Sequence, residues 1–372
     1  MRMELYLHIP FCVKKCDYCD FLSFRKNPGE QNAYCESLLK EIRHTILPED
    51  AVISSIFIGG GTPSLIDDEW IVCFMDTIKG RFAVEKDAEI SLEANPGTLT
   101  EEKLKSYRRA GINRLSIGLQ SANDKELAML GRIHTYEEFL ENYHLARKNG
   151  FDNINIDLMT ALPGQNMTSL MQTLKKVVML QPEHISAYSL MIEPGTPFYE
   201  RSLALPDEDE ERRMYEGTAA YLKEWDYHQY EISNFARPGK ECRHNIGYWK
   251  RTPYLGLGLG ASSLINEQRF SNTTDMNEYL KHCCQPDAIR KNREILTREN
   301  QMEEFMFLGL RMTEGISELE FQEKFEVCVD AVYGSVIDKY RRLGLLERKN
   351  GRLYLTGEGV SVSNVVMSEF LL

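Results

Sequence analysis

No apolar run in this 372-residue chain approaches the roughly 18 residues that cross a bilayer, so no transmembrane helix is expected and only transient membrane association is left open. Positive charge is also short: 44 Lys and Arg stand against 56 Asp and Glu, a formal charge of -12. That balance opposes non-specific binding to nucleic acid or to an anionic membrane surface. Met1-Arg2-Met3-Glu4 runs straight into "LYLHIP", leaving no room for a signal-peptide apolar region, and a cytoplasmic protein is expected. The nine cysteines, odd in number and scattered, do not form a disulfide framework. There is no internal repeat and no low-complexity segment. What remains, 42% hydrophobic and 27% charged, is ordinary for a globular protein and suits an enzyme or a carrier of a small molecule.

The first two hundred residues alternate between β-rich runs and helix-like stretches. Strands are expected at Leu5–Ile9, Ile53–Ile58, Glu89–Glu93, Arg114–Gly118, Ile154–Leu158 and His184–Leu190, apolar enough to be parallel strands covered by helices. "TLTEEKLKSYRRAG" reads as a helix with Thr100 as N-cap and Gly111 as stop, and "TYEEFLENYHLARKNG" as another ending at Gly150. Six such units predict an α/β fold, either a doubly wound sheet or a barrel short of the usual eight units. A Pro and an acidic cluster near 206 then introduce an amphipathic helix. The 230–275 stretch is mixed and rich in Gly and aromatics, and a charged helical segment is expected to about 300. From 297 the pattern is two helices and a hairpin at Asn350-Gly351, a winged-helix-like module. With 9 Lys and Arg against 13 Asp and Glu, that module suits packing better than DNA. The expected divisions are 1–205, 206–296 and 297–372.

Three cysteines stand in "HIPFCVKKCDYCDF", directly after the first strand: Cys12, Cys16 and Cys19, in the pattern C-x-x-x-C-x-x-C. Thiolates suit zinc, Cu(I) and iron–sulfur clusters. A structural zinc site needs a fourth ligand, and Cys242 or the Cys283-Cys284 pair would have to supply it from afar. A [4Fe–4S] cube held by three thiolates instead leaves one iron open to a small molecule, and this is the favoured reading. The spacing resembles the radical S-adenosylmethionine superfamily, in which the open iron takes the amino and carboxylate groups of S-adenosylmethionine. The resemblance implies a partial (β/α)₆ barrel.

Other unusual residues recur at the carboxyl ends of the expected strands, where parallel α/β folds bind ligands. Strand two runs into "IGGGTPS", strand three into "EANPG", strand four into "SIGLQS", and strand five carries Asp157 in "NIDLMTALPGQ". With "YLHIPFC" and "GRIHT" these resemble, in order, the oxygen-independent coproporphyrinogen III oxidase branch. By position the resemblance places Tyr6, Gly60, Gly61, Thr62, Glu93, Gln120, Arg132 and Asp157 around S-adenosylmethionine, with Tyr18 in the usual aromatic place between the last two cysteines.

Two subgroups of that branch divide at position 21. The decarboxylase subgroup carries one more cysteine there; this chain has Phe21, and so resembles the HemW group of heme chaperones. "CRHNIGYWKRTPYLGLGLGASS" carries the H-N-x-x-Y-W motif of that group at His244. A histidine beside Tyr248 and Trp249 is a candidate heme ligand over flat apolar surface, and equally a packing residue; Cys242 is an alternative soft ligand. Arg243, Lys250 and Arg251 are candidate partners for heme propionates. His8 lies beside the cysteine loop, and the other six histidines read as surface or core residues. The resemblance implies a protein that binds heme and passes it to an acceptor protein. The alternative is radical oxidative decarboxylation of coproporphyrinogen III to protoporphyrinogen IX.

Overall fold

The apolar runs of the first half form six strands that pair in parallel: β1 (Arg2–Ile9), β2 (Val52–Gly60), β3 (Ala83–Ala94), β4 (Arg114–Gln120), β5 (Ile154–Thr160) and β6 (His184–Ser189). The computed structural model describes residues 1–372. Between the strands run α1 (Pro28–His44), α2 (Asp68–Arg81), α3 (Glu101–Ala110), α4 (Asp124–Met129), α5 (Tyr136–Lys148) and α6 (Met167–Val178). Thr100 caps α3 by accepting the Lys103 amide and Gly111 ends it, as their residue types predict.

Residues of one strand alternate between two environments. On β1, Met3, Leu5, Leu7 and Ile9 join a single apolar cluster of 54 buried residues that also takes in the helices. Glu4, Tyr6 and His8 face the other way. The inner face is polar: Ser55, Glu89, Ser91, Arg114, Ser116, Asn155, His184 and Ser186 are all buried. Density of apolar residues thus marked the outer face only.

Segment 206–296 adds strands to both edges of the same sheet. After α7 (Glu208–Glu224), β7 (His228–Glu231) and β8 (Asn234–Ala236) extend the β6 edge. After α8 (Arg243–Trp249), β9 (Tyr254–Leu257), β10 (Ser262–Ile265), β11 (Gln268–Asn272) and β12 (Arg290–Ile295) extend the β1 edge. The outermost strands, β12 and β7, do not pair with each other, so the barrel stays open. Residues 290–295, expected within a helical segment, are an edge strand instead. Exposed Asn292, Arg293 and Glu294 suit an edge that must not recruit another strand.

The C-terminal module has its own core of 16 buried residues. Helices Arg298–Gly309, Glu318–Phe325 and Val329–Arg342 pack against β13 (Ile316–Ser317), β14 (Leu346–Lys349) and β15 (Arg352–Leu355). Asn350 and Gly351 make the two-residue turn at φ 54° and 72°. The module docks through Arg251, which is buried and bonds Glu304 at 2.8 Å and Glu267 at 2.6 Å, and through Arg311, 4.3 Å over the Trp249 ring. Nowhere is a helix long and apolar enough to cross a membrane.

Candidate functional site

The loop that leaves β1 is a closed lariat. Cys12 N–H donates to Phe24 O at 3.0 Å and Phe24 N–H to Pro10 O at 2.7 Å, which locks the base. His8 pins the far side: its Nε2 lies 2.9 Å from the Leu22 carbonyl. A carbonyl only accepts, so Nε2 carries the proton and Nδ1 accepts from the Tyr6 hydroxyl at 3.0 Å. Within the loop Cys12, Cys16 and Cys19 are free and partly accessible. No three His, Cys, Asp or Glu side chains in the chain converge on a single-ion position. Three thiols spread around one loop fit a cube that offers each a different iron.

Two of the thiols are joined by one hydrogen-bonded network. Thr62 Oγ1 donates to Cys12 Sγ at 3.6 Å and accepts from Asn95 Nδ2 at 2.7 Å. Asn95 Oδ1 accepts from Arg132 at 2.6 Å, and the same guanidinium donates to Gly118 O at 2.8 Å and to Cys16 Sγ at 3.6 Å. The hydroxyl and the guanidinium thus hold the two sulfurs in place from the strand-end side of the loop. Tyr18 lies beside the Arg132 guanidinium and packs over the cluster of Leu130, Met159, Leu162, Leu190 and Phe198. Asn95 was missed in the sequence. Its signal was there: it stands two residues after Glu93 in "EANPG", so strand alternation turns it the same way.

The glycines and carboxylates complete the open end. Gly60 has φ +117°, and a Cβ there would stand 2.6 Å from the His8 ring, so only glycine fits. Its N–H donates to Glu93 Oε2 at 2.9 Å. Burial, reinforced by the Asp157 charge, pushes the Glu93 carboxyl up to about 8. Asp157 is raised by burial as well, although Ser116 and Asn155 donate to its two oxygens at 3.0 and 2.8 Å. Gln120 closes β4 with φ 70°, a strained conformation for a side-chain-bearing residue, at an irregularity beside Gly118. Gly61 extends β2 beyond Gly60, its N–H on Ile9 O at 2.9 Å. Tyr6, Tyr18, Glu93, Gln120, Arg132 and Asp157 are half-buried.

His244 is not among them. It sits on α8 at the opposite end of the inner face, in a layer with Glu4, Ser55 and Glu89. His8 lies four residues after Glu4, about 13 Å along a strand. His244 Nδ1 is 2.8 Å from Ser55 Oγ, its Nε2 is 3.0 Å from Tyr248 OH, and its ring stacks on Phe57 at 5.2 Å. It is 1% exposed, and burial, with Arg114, lowers it to about 3. Both ring nitrogens are engaged, so the expected heme ligand is presented to no ligand here. Gly247 on the same helix has no space for a side chain, because a Cβ would collide with the Glu4 carboxylate. Cys242, the N-cap of α8, is buried against Glu89. Arg243 pairs with Glu85, Lys250 with Glu314 and Arg251 with Glu304, so none of the three expected propionate partners is free.

Comparison with known proteins agrees with this architecture. Residues 6–177 match the model of the radical SAM superfamily and residues 296–362 that of the HemN C-terminal domain. The chain is 37% identical to heme chaperone HemW of Bacillus subtilis, covering 98% of both chains. It is 36% identical to heme chaperone HemW of Escherichia coli over 89% of this chain and 88% of the relative. The solved structure of coproporphyrinogen III oxidase (HemN) from Escherichia coli, a radical SAM enzyme, superposes with a TM-score of 0.85. It covers 99% of this chain and 90% of that one at 24% identity, a likeness of fold. The radical SAM family implies a [4Fe–4S] cluster and S-adenosylmethionine, and the lariat of three thiols, its Thr62–Asn95–Arg132 brace and the half-buried carboxylates fit that pair. The chain belongs to the radical SAM superfamily and, within it, to the family of heme chaperone HemW.

Proposed function

We propose that this chain is a cytoplasmic heme chaperone: it binds heme and delivers it to an acceptor protein, carrying a [4Fe–4S] cluster on Cys12, Cys16 and Cys19. Tyr6, Gly60, Gly61, Thr62, Glu93, Gln120, Arg132 and Asp157 would hold S-adenosylmethionine, with Tyr18 beside them. When bound, the cluster supplies an electron and one open coordination position. Neutral Glu93 accepts the Gly60 amide without placing a second full charge beside Asp157. Arg132 and Thr62 hold two sulfurs in place.

The observation that carries the carrier reading is Phe21. It stands 63% exposed on the cysteine loop, at the position where the decarboxylase subgroup has a further cysteine. We place heme at this rim and not at His244. Exposed Val13 and Phe21 lie on the loop, and exposed Met191 and Tyr199 on the segment after β6. Asp17 ties the two segments together, accepting from Phe198 N–H at 3.0 Å and from Arg201 at 2.7 Å. Lys14 is exposed there and suits a carboxylate on a flat apolar ring. Anaerobic, reduced, cluster-loaded protein incubated with S-adenosylmethionine and coproporphyrinogen III is expected to leave the porphyrinogen unchanged while binding added heme to saturation. Formation of protoporphyrinogen would overturn the carrier reading.

A further inference from the structure

A second hydrogen-bonded chain runs through the buried inner face and ends on Asp157. Cys242 N–H, at the start of α8, donates to the Tyr230 hydroxyl oxygen at 3.3 Å. Tyr230 OH lies 2.9 Å from His184 Nε2, and His184 Nδ1 lies 2.6 Å from Asn155 Oδ1. Asn155 Nδ2 donates to Asp157 Oδ1 at 2.8 Å and to Ser116 Oγ at 2.7 Å, and Ser116 Oγ donates to Asp157 Oδ2 at 3.0 Å.

The directions are determined by these partners. With its amide nitrogen donating twice, Asn155 offers only an oxygen to His184, so Nδ1 carries the proton. Nε2 is then an acceptor and the Tyr230 hydroxyl must donate. His184 is completely buried, and burial, with nearby Arg114, holds it well below its usual value, so it is neutral and one tautomer persists. Every donor from Cys242 onward points toward the Asp157 carboxylate, the arrangement in which each bond polarises the next. Asn155 Oδ1 also accepts from Ser186 at 3.2 Å, so the amide is fully satisfied and cannot flip without loss.

The outer end is tied to the C-terminal module. Thr313 N–H donates to Tyr230 O at 3.0 Å, and a β-bridge joins Glu231 to Met312. The geometry points to His184 and Tyr230 as positioning residues for Asp157, through which the docked C-terminal module and the start of α8 set the carboxylate that faces S-adenosylmethionine. This rests on the reading of Asp157 as part of the S-adenosylmethionine pocket.

The test is equilibrium binding of S-adenosylmethionine to the anaerobic, cluster-loaded full chain, read from the change in the reduced cluster's EPR signal. Iron content and thermal unfolding are measured on the same samples. Tyr230→Phe, which removes one hydroxyl, is expected to weaken binding about tenfold with iron content retained. His184→Gln keeps a donor and an acceptor in place and is expected to stay within about threefold, whereas His184→Phe falls with Tyr230→Phe. In an Asp157→Asn background the Tyr230→Phe effect is expected to vanish, since both act on one carboxylate. If Asp157→Asn weakens binding but Tyr230→Phe and His184→Phe do not, or if the effects simply add, the positioning role is overturned. If Asp157→Asn itself leaves binding unchanged, the pocket reading fails and takes this inference with it. Should Tyr230→Phe not fold, the contrast between His184→Gln and His184→Phe decides.

Discussion

Asn95→Leu isolates the brace between two of the cysteines. Leucine has nearly the same volume, so the change removes two hydrogen bonds without opening a large cavity. One is neutral, to Thr62 at 2.7 Å; the other is charge-assisted, from Arg132 at 2.6 Å. A neutral bond contributes about 1 kcal/mol and a charged one about 1.5–3 kcal/mol. Arg132 keeps Gly118 O and Thr62 keeps Cys12, so the loss is expected near the lower bound, about 2–3 kcal/mol. That corresponds to roughly 30- to 150-fold at about 1.4 kcal/mol per factor of ten. Where the loss falls on the loaded state, S-adenosylmethionine binds more weakly and iron leaves faster to a chelator. Asn95→Asp keeps the Arg132 pair and is expected to lose much less. The assay pairs an anaerobic S-adenosylmethionine titration with timed iron release, against a far-UV spectrum showing the fold intact. An Asn95→Leu protein that binds and retains iron like its parent would refute the claim that this network holds the site.

Glu93 predicts a pH dependence. Its folded value, about 8, lies above the usual carboxyl range near 4.5, so the folded state binds more protons between those limits. Stability of the metal-free chain is therefore expected to fall as pH rises from about 4.5 to 8, and Glu93→Gln to flatten that slope; an unchanged slope in chemical unfolding assigns it elsewhere. His244→Ala is expected to destabilise the chain by about 2–4 kcal/mol, through lost packing and two lost hydrogen bonds, while leaving heme uptake intact; abolished heme binding in a normally stable protein would return His244 to the ligand role. Gly60→Ala must hold an alanine at φ +117° against the His8 ring, at a cost of about 1–3 kcal/mol, and cluster absorbance is expected to drop.

The strand-ending motifs made the candidate residues legible before the fold was described, because parallel strands carry their carboxyl ends on one side of the sheet. Thr62 and Arg132, far apart in sequence, are joined through Asn95, and Glu93 reaches back to the Gly60 amide. Partners that act through another residue were harder to see. Asn95 and His184 look like ordinary turn and core residues, and only register shows that His184 stands beside Asn155 and one step from Asp157. His244 stands out in the sequence by its aromatic neighbours; in the fold its ring stacks on Phe57 and its two nitrogens meet Ser55 and Tyr248. Strand β12 escaped notice because a charged edge strand lacks the apolar alternation by which strands are recognised.

The most direct measurement is iron, sulfide and zinc content of anaerobically purified chain, together with the EPR spectrum of the reduced protein before and after S-adenosylmethionine. Four iron and four sulfide per chain, lost on Cys16→Ser, and a spectrum that shifts on adding the cofactor, are the predicted results. Zinc with four protein donors, or a cluster whose spectrum ignores the cofactor, would contradict an iron left open for a small molecule.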